Sequence, residues 1–116
     1  MDKANPTYPW TMKLVIVFAA IAFITMSASI ITAWIAGDFF DEGSTILSLP
    51  WGIVSLIDVY IGFALFSVWI IYREENALRW ILWTILMMVF GNATASLYVF
   101  LAGWRSRGDW KRFWLG

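Results

Sequence analysis

The sequence predicts an all-α protein: a three-helix transmembrane bundle, multi-pass and integral to a membrane, with a short interfacial C-terminal tail. Three observations carry this. Of 116 residues, 61% are hydrophobic and only 14% charged, against roughly 45–50% and about 25% in a soluble domain. A chain this short cannot hide that much apolar surface in its own core. Three apolar runs, 14–36, 51–72 and 78–104, each reach the roughly 20 residues that span the hydrocarbon core as a helix. In lipid only internally closed hydrogen bonding survives, which makes each run a helix.

Taken in order, residues 1–13 form a head carrying Lys3 and Lys13. The first span, 14–36, has no charge and exceeds the 7–15 residues of a signal-peptide core. It is therefore read as a retained span. An acidic loop follows at 37–50, with Asp38, Asp41 and Glu42, and ends at Pro50. Proline suits a first helical position, where its missing N–H would be unpaired anyway. The second span, 51–72, holds one charge, Asp58. The turn 73–77, Arg73-Glu74-Glu75-Asn76-Ala77, is short enough to make the second and third spans antiparallel neighbours. The third span, 78–104, leads to a basic aromatic tail, 105–116.

Three crossings put Lys3, Lys13, Arg73 and Arg79 on one side and Arg105, Arg107, Lys111 and Arg112 on the other. The positive-inside bias then ties at four against four. The lysines before the first span and the acids after it favour a cytoplasmic N-terminus, and the basic tail opposes this. The location that follows is a bacterial inner or photosynthetic membrane. The nine tryptophans fall near the predicted interfaces, where amphipathic rings anchor. Trp10, Trp69, Trp80 and Trp83 mark one belt; Trp34, Trp51, Trp104, Trp110 and Trp114 mark the other. In the tail, Arg105, Arg107, Trp110, Lys111, Arg112 and Trp114 are read as lipid or partner contacts.

Asp58 is the polar group that most needs a partner, since a carboxylate deep in a bilayer costs about 2.5–3.5 kcal/mol or more. Asp58 and Asn92 each lie 14 residues from the turn, roughly 21 Å along their helices. Ser29 matches that depth on the first span. An intramembrane polar layer of Ser29, Asp58 and Asn92 is expected. Small residues at Gly62, Gly91 and Ala95, and a stripe of Ala22, Thr25, Ser29, Thr32 or Ala33, and Ala36, are expected to let the helices pack closely.

Chemistry is limited by what the chain lacks. It has no Cys and no His, hence no thiolate, disulfide, imidazole base or Cys/His metal site. No metal site is expected; three loop acids beside Phe39-Phe40 lack ligand spacing. Zero formal charge offers no broad basic surface for nucleic acid. One isolated carboxylate is a poor active site, so no enzyme and no catalytic residue are expected.

The stretch Pro50-Trp51-Gly52, Ser55 through Asp58-Val59-Tyr60-Ile61-Gly62-Phe63, Trp69 and Arg73-Glu74, with Gly91-Asn92 and Tyr98, resembles the small membrane proteins grouped as domain of unknown function 1475. The resemblance covers about residues 14–102. It implies a three-span membrane protein of bacteria and plants, and implies no activity, cofactor or catalytic residue.

The expected function is a non-catalytic accessory or scaffold subunit of a larger integral-membrane complex, a photosynthetic reaction centre with antenna or a respiratory assembly. Its partners would be membrane lipids and other integral-membrane subunits, not nucleic acid. No intrinsic cofactor is expected; bound lipids and peripheral pigment or quinone contacts are. The alternative is a small transporter or lipid/quinone-binding protein using Asp58 and Asn92.

Overall fold

The computed structural model describes residues 8–116, and every regular element among them is helical. In chain order these are α1 (Trp10–Ala36), α2 (Phe39–Ser48), α3 (Pro50–Arg73), α4 (Ala77–Phe90), α5 (Asn92–Arg105) and α6 (Trp110–Leu115). Helices α1 and α3, with 27 and 24 residues, are long and apolar enough to cross a membrane.

The third apolar run departs from the expected span. It is two 14-residue helices meeting at Gly91, whose φ of +65° and ψ of −133° end α4. Such backbone is costly for any residue with a Cβ. The break leaves carbonyls at the end of α4 without helical partners. Gly91 N still closes the last helical bond, to Met87 O at 2.7 Å, and two side chains donate to carbonyls of the final turn: the Thr94 hydroxyl to Leu86 O at 3.0 Å and the Tyr60 hydroxyl to Met88 O at 3.5 Å.

Helices α4 and α5 form a hairpin rather than a crossing. Trp83 and Tyr98, eight residues before Gly91 and seven after it, stack edge to face with centroids 5.0 Å apart. The tip sits halfway along its neighbours: a Cβ on Gly91 would lie 3.2 Å from the Phe63 ring, and Asn92 lines a groove with Ala22. The far ends of the hairpin return to where α1 begins and α3 ends. There the Tyr8 hydroxyl donates to Trp104 O at 2.8 Å, and Ser106 meets the Met12 sulfur at 3.0 Å.

The closest helix pair is α1 with α5, antiparallel. Ala19, Ala102 and Gly103 are buried along it, and a Cβ on Gly103 would lie 2.6 Å from Ile16 Cγ1. Packing of this kind drives association where lipid is as apolar as the helix. Gly103→Val is expected to destabilise the fold by about 1–3 kcal/mol, the usual overpacking cost. Adding Ile16→Ala should recover part of that loss, read by a double-mutant cycle of detergent unfolding curves. Equal loss with and without Ile16→Ala would place the strain elsewhere.

Residues 37–50 are also not a plain loop. Asp38 caps α2, its carboxylate accepting from Phe40 N at 3.1 Å and Asp41 N at 3.2 Å. Asp41 and Glu42 occupy the first turn, where the helix dipole favours acids. Pro50 opens α3 as expected. Gly52 gives the backbone of Ile46 the space that a Cβ would take, which folds α2 back on α3.

Candidate functional site: the basic, aromatic end

Two apolar clusters hold the molecule together, one running from the hairpin tip toward the end where the hairpin returns and the other at that end. One joins Phe63, Ile70, Met87 and Tyr98; the other joins Met12, Ala102 and Phe113. Trp69 packs against both. By contrast, no residue from 20 to 62 is buried. Beyond the hairpin tip, α1 and α3 are two apolar arms without a shared core.

Arg73 organises the packed end. It lies in the last turn of α3, where the dipole favours a cation. Its Nε donates to Phe113 O at 2.9 Å and its Nη1 to the Tyr98 hydroxyl at 3.3 Å. The Tyr98 hydroxyl donates onward to Glu74 Oε1 at 3.4 Å, and Arg73 pairs with the same carboxylate at 3.8 Å. Around Tyr98, the rings of Phe66, Trp69 and Trp83 stand edge-on at 5.0–6.0 Å. This arrangement favours the aromatic quadrupoles. The Trp69 indole N–H donates to Trp114 O at 3.0 Å. These contacts clamp α6 onto α3.

The tail therefore docks on its own chain, with Phe113 buried, rather than reaching outward along all its length. Trp110 is half-buried, whereas Arg105, Arg107, Lys111, Arg112 and Trp114 stay exposed. The docking also moves the tail to the side opposite the one expected. Trp104, Trp110 and Trp114 share an end with Trp10, Trp69, Trp80 and Trp83, which leaves only Trp34 and Trp51 at the other. The four-against-four split of cations disappears likewise. Lys13, Arg73, Arg79, Arg105, Arg107, Lys111 and Arg112 all stand at one end, and Asp38, Asp41 and Glu42 at the other. Lys3 lies outside the described residues.

The expected polar layer does not assemble. Ser29, Asp58 and Asn92 are all exposed, and no hydrogen bond joins any two of them among the described residues. The Ser29 hydroxyl instead donates to Thr25 O within its own helix. Asn92 lines an apolar groove between α1 and α5 together with Ala95 and Phe66. The depths were matched, but the helices turn these faces apart. Gly62 faces open space, so it does not mediate close packing; Gly103 and Gly52 do. Ala95 is half-buried against the Tyr98 cluster. Gly91 acts through its backbone. Among the described residues no cluster of three acids, Cys or His stands ready for a metal.

The fold defines the chain as an all-helical protein with two helices able to cross a membrane. Over residues 11–108 the chain matches the family described as protein of unknown function (DUF1475), and it belongs to that family. The match ends before α6 begins. No curated protein and no solved structure matches the chain.

Proposed function

We propose that this protein is an integral-membrane subunit without catalysis of its own, a scaffold that joins a larger membrane complex through the unfilled half of its fold. The supporting observation is the run from 20 to 62 without a buried residue. Along that half, α1 carries small residues every fourth position, Thr25, Ser29 and Ala33, which line one open groove with the capping Gly37. Small residues at this spacing suit close approach of another apolar helix. A carrier working through Asp58 and Asn92 is the weaker reading, because those side chains do not meet.

In this reading the chain crosses the membrane twice, by α1 and α3. The hairpin α4–α5 enters from one face to mid-depth and leaves by the same face. The single-ended cations favour that face, with the tail, as the cytoplasmic one. Hydroxyls of Tyr60 and Thr94 donate to carbonyls beside the tip, which lowers the cost of broken helix at that depth.

The test is recovery of the tagged full chain from native membranes in mild detergent, with co-purifying chains identified and counted. A large complex at fixed stoichiometry is expected; pigment or haem in the same fraction would assign it to an energy-converting assembly. Ala33→Leu, at an exposed position, is expected to cut that recovery about tenfold or more while leaving the isolated chain folded, since one lost close contact of ~1.4 kcal/mol is a factor of ten. Recovery as a lone chain would overturn the scaffold reading.

A further inference from the structure

The hairpin does more than set topology, because it gathers charges that are distant in sequence. Lys13 opens α1, Arg79 opens α4, Arg105 closes α5, and Arg107, Lys111 and Arg112 follow it. All six are exposed, and none is in an ion pair among the described residues. Among the described residues the exposed acids at this end are Glu75 and Asp109, and Asp109 is engaged as the cap of α6, accepting from Lys111 N at 2.9 Å. Exposed Trp10, Trp104 and Trp114 stand among the cations. The tail cannot swing away, since Arg73 and Trp69 hold α6 down through its carbonyls. Arg107 sits at φ +53°, a left-handed conformation that a residue with a Cβ adopts at a cost, immediately before Gly108 at φ +87°.

We infer that this end is a binding surface for anionic phospholipid headgroups of one leaflet. Charge complementarity names the occupant: six unpaired cations ringed by exposed indoles match a layer of phosphates above an apolar slab. Indoles settle at headgroup depth, and guanidinium and ammonium groups reach past them to the phosphates. The inference rests on the membrane placement proposed above.

The purified full chain would be reconstituted in vesicles of zwitterionic lipid, of anionic lipid, and of mixtures, using lipids brominated on the acyl chains. Tryptophan quenching reports this end, because seven of the nine tryptophans are there. The expected preference for anionic lipid is about fivefold or more, the factor one cation near an anionic leaflet supplies. It should fall at high salt. The combined variant Arg105→Gln, Arg107→Gln, Lys111→Gln, Arg112→Gln should lower the preference about fivefold or more, toward what Lys13 and Arg79 alone supply. Arg107→Gly removes one charge where the backbone already suits glycine, so it should lower the preference with the fold intact. A wild-type preference near one overturns the surface alone and leaves the membrane placement standing. A preference retained by both variants also overturns it. Failure to enter vesicles of either composition overturns the membrane placement and the surface together.

Discussion

Single cysteines at Glu75 and Arg107 are expected to react with an impermeant thiol reagent from the same membrane face, and a cysteine at Gly43 only from the opposite face. The chain has no Cys of its own, so each variant carries one reporter thiol. The contrast is all-or-none. A continuous third crossing would pair Arg107 with Gly43, whereas the α4–α5 hairpin pairs Arg107 with Glu75. Two forces hold the hairpin arrangement. Arg73 and Trp69 bind the tail beside the 73–77 turn. The four tail cations would also have to be placed on the face that now carries only Asp38, Asp41 and Glu42, against the positive-inside bias. Labelling of Arg107→Cys from the Gly43 face would remove both the hairpin and the lipid surface built on it. Glu75 and Arg107 lie in exposed connections, and Gly43 lies within α2 where an added Cβ meets nothing within 4 Å, so the substitutions leave the packed clusters untouched.

Gly91→Ala should lower stability by about 1–3 kcal/mol, the cost of holding a Cβ-bearing residue in backbone almost confined to glycine. The added methyl would also press at 3.2 Å on the Phe63 ring, which is buried and has no free direction to move. Gly62→Ala is the matched control. It sits inside α3 with nothing within 4 Å of its Cβ direction. There alanine should stabilise by up to about 1 kcal/mol, the ordinary helix gain. Unfolding titrations in mixed micelles, followed by tryptophan emission, separate the two. Equal behaviour of the two alanines would mean that the break at 91 does not depend on glycine.

Much of the secondary structure was legible because it rests on local chemistry. The long apolar runs at α1 and α3, Pro50 at the head of α3 and the short charged turn before α4 can each be read from a few neighbouring residues. Gly91-Asn92 was visible as a small patch but read as a packing surface. Its role as a break depends on partners far away in sequence, Tyr60 on α3 and Phe63 beside it. The short helix α2 was hidden by an acidic composition that resembles a loop, although Asp38 followed by Asp41 and Glu42 is a helix-start signal. Tyr98 was noticed only for resemblance; its ties to Arg73, Glu74 and three aromatic rings need the fold.

Depth along a helix follows from counting residues, and that is why Asp58, Asn92 and Ser29 were assigned one level and given to one another, although no hydrogen bond joins them. Facing depends on helix rotation. A helix apolar on nearly every side carries no moment to fix that rotation, because lipid and neighbouring helices are equally good surroundings. The same degeneracy is why the third run was read as one more crossing. By itself the sequence determined the helical class, two long apolar helices and the family, since apolar length, caps and turns act locally and add along the chain. Only the tertiary structure decided that the last run turns back at Gly91, that the tail folds onto α3, and that all the described cations share one end. Those outcomes come from contacts between residues dozens of positions apart, where the satisfaction of carbonyls at a break and the packing of Gly103 on Ile16 outweigh a hydropathy that is indifferent to direction.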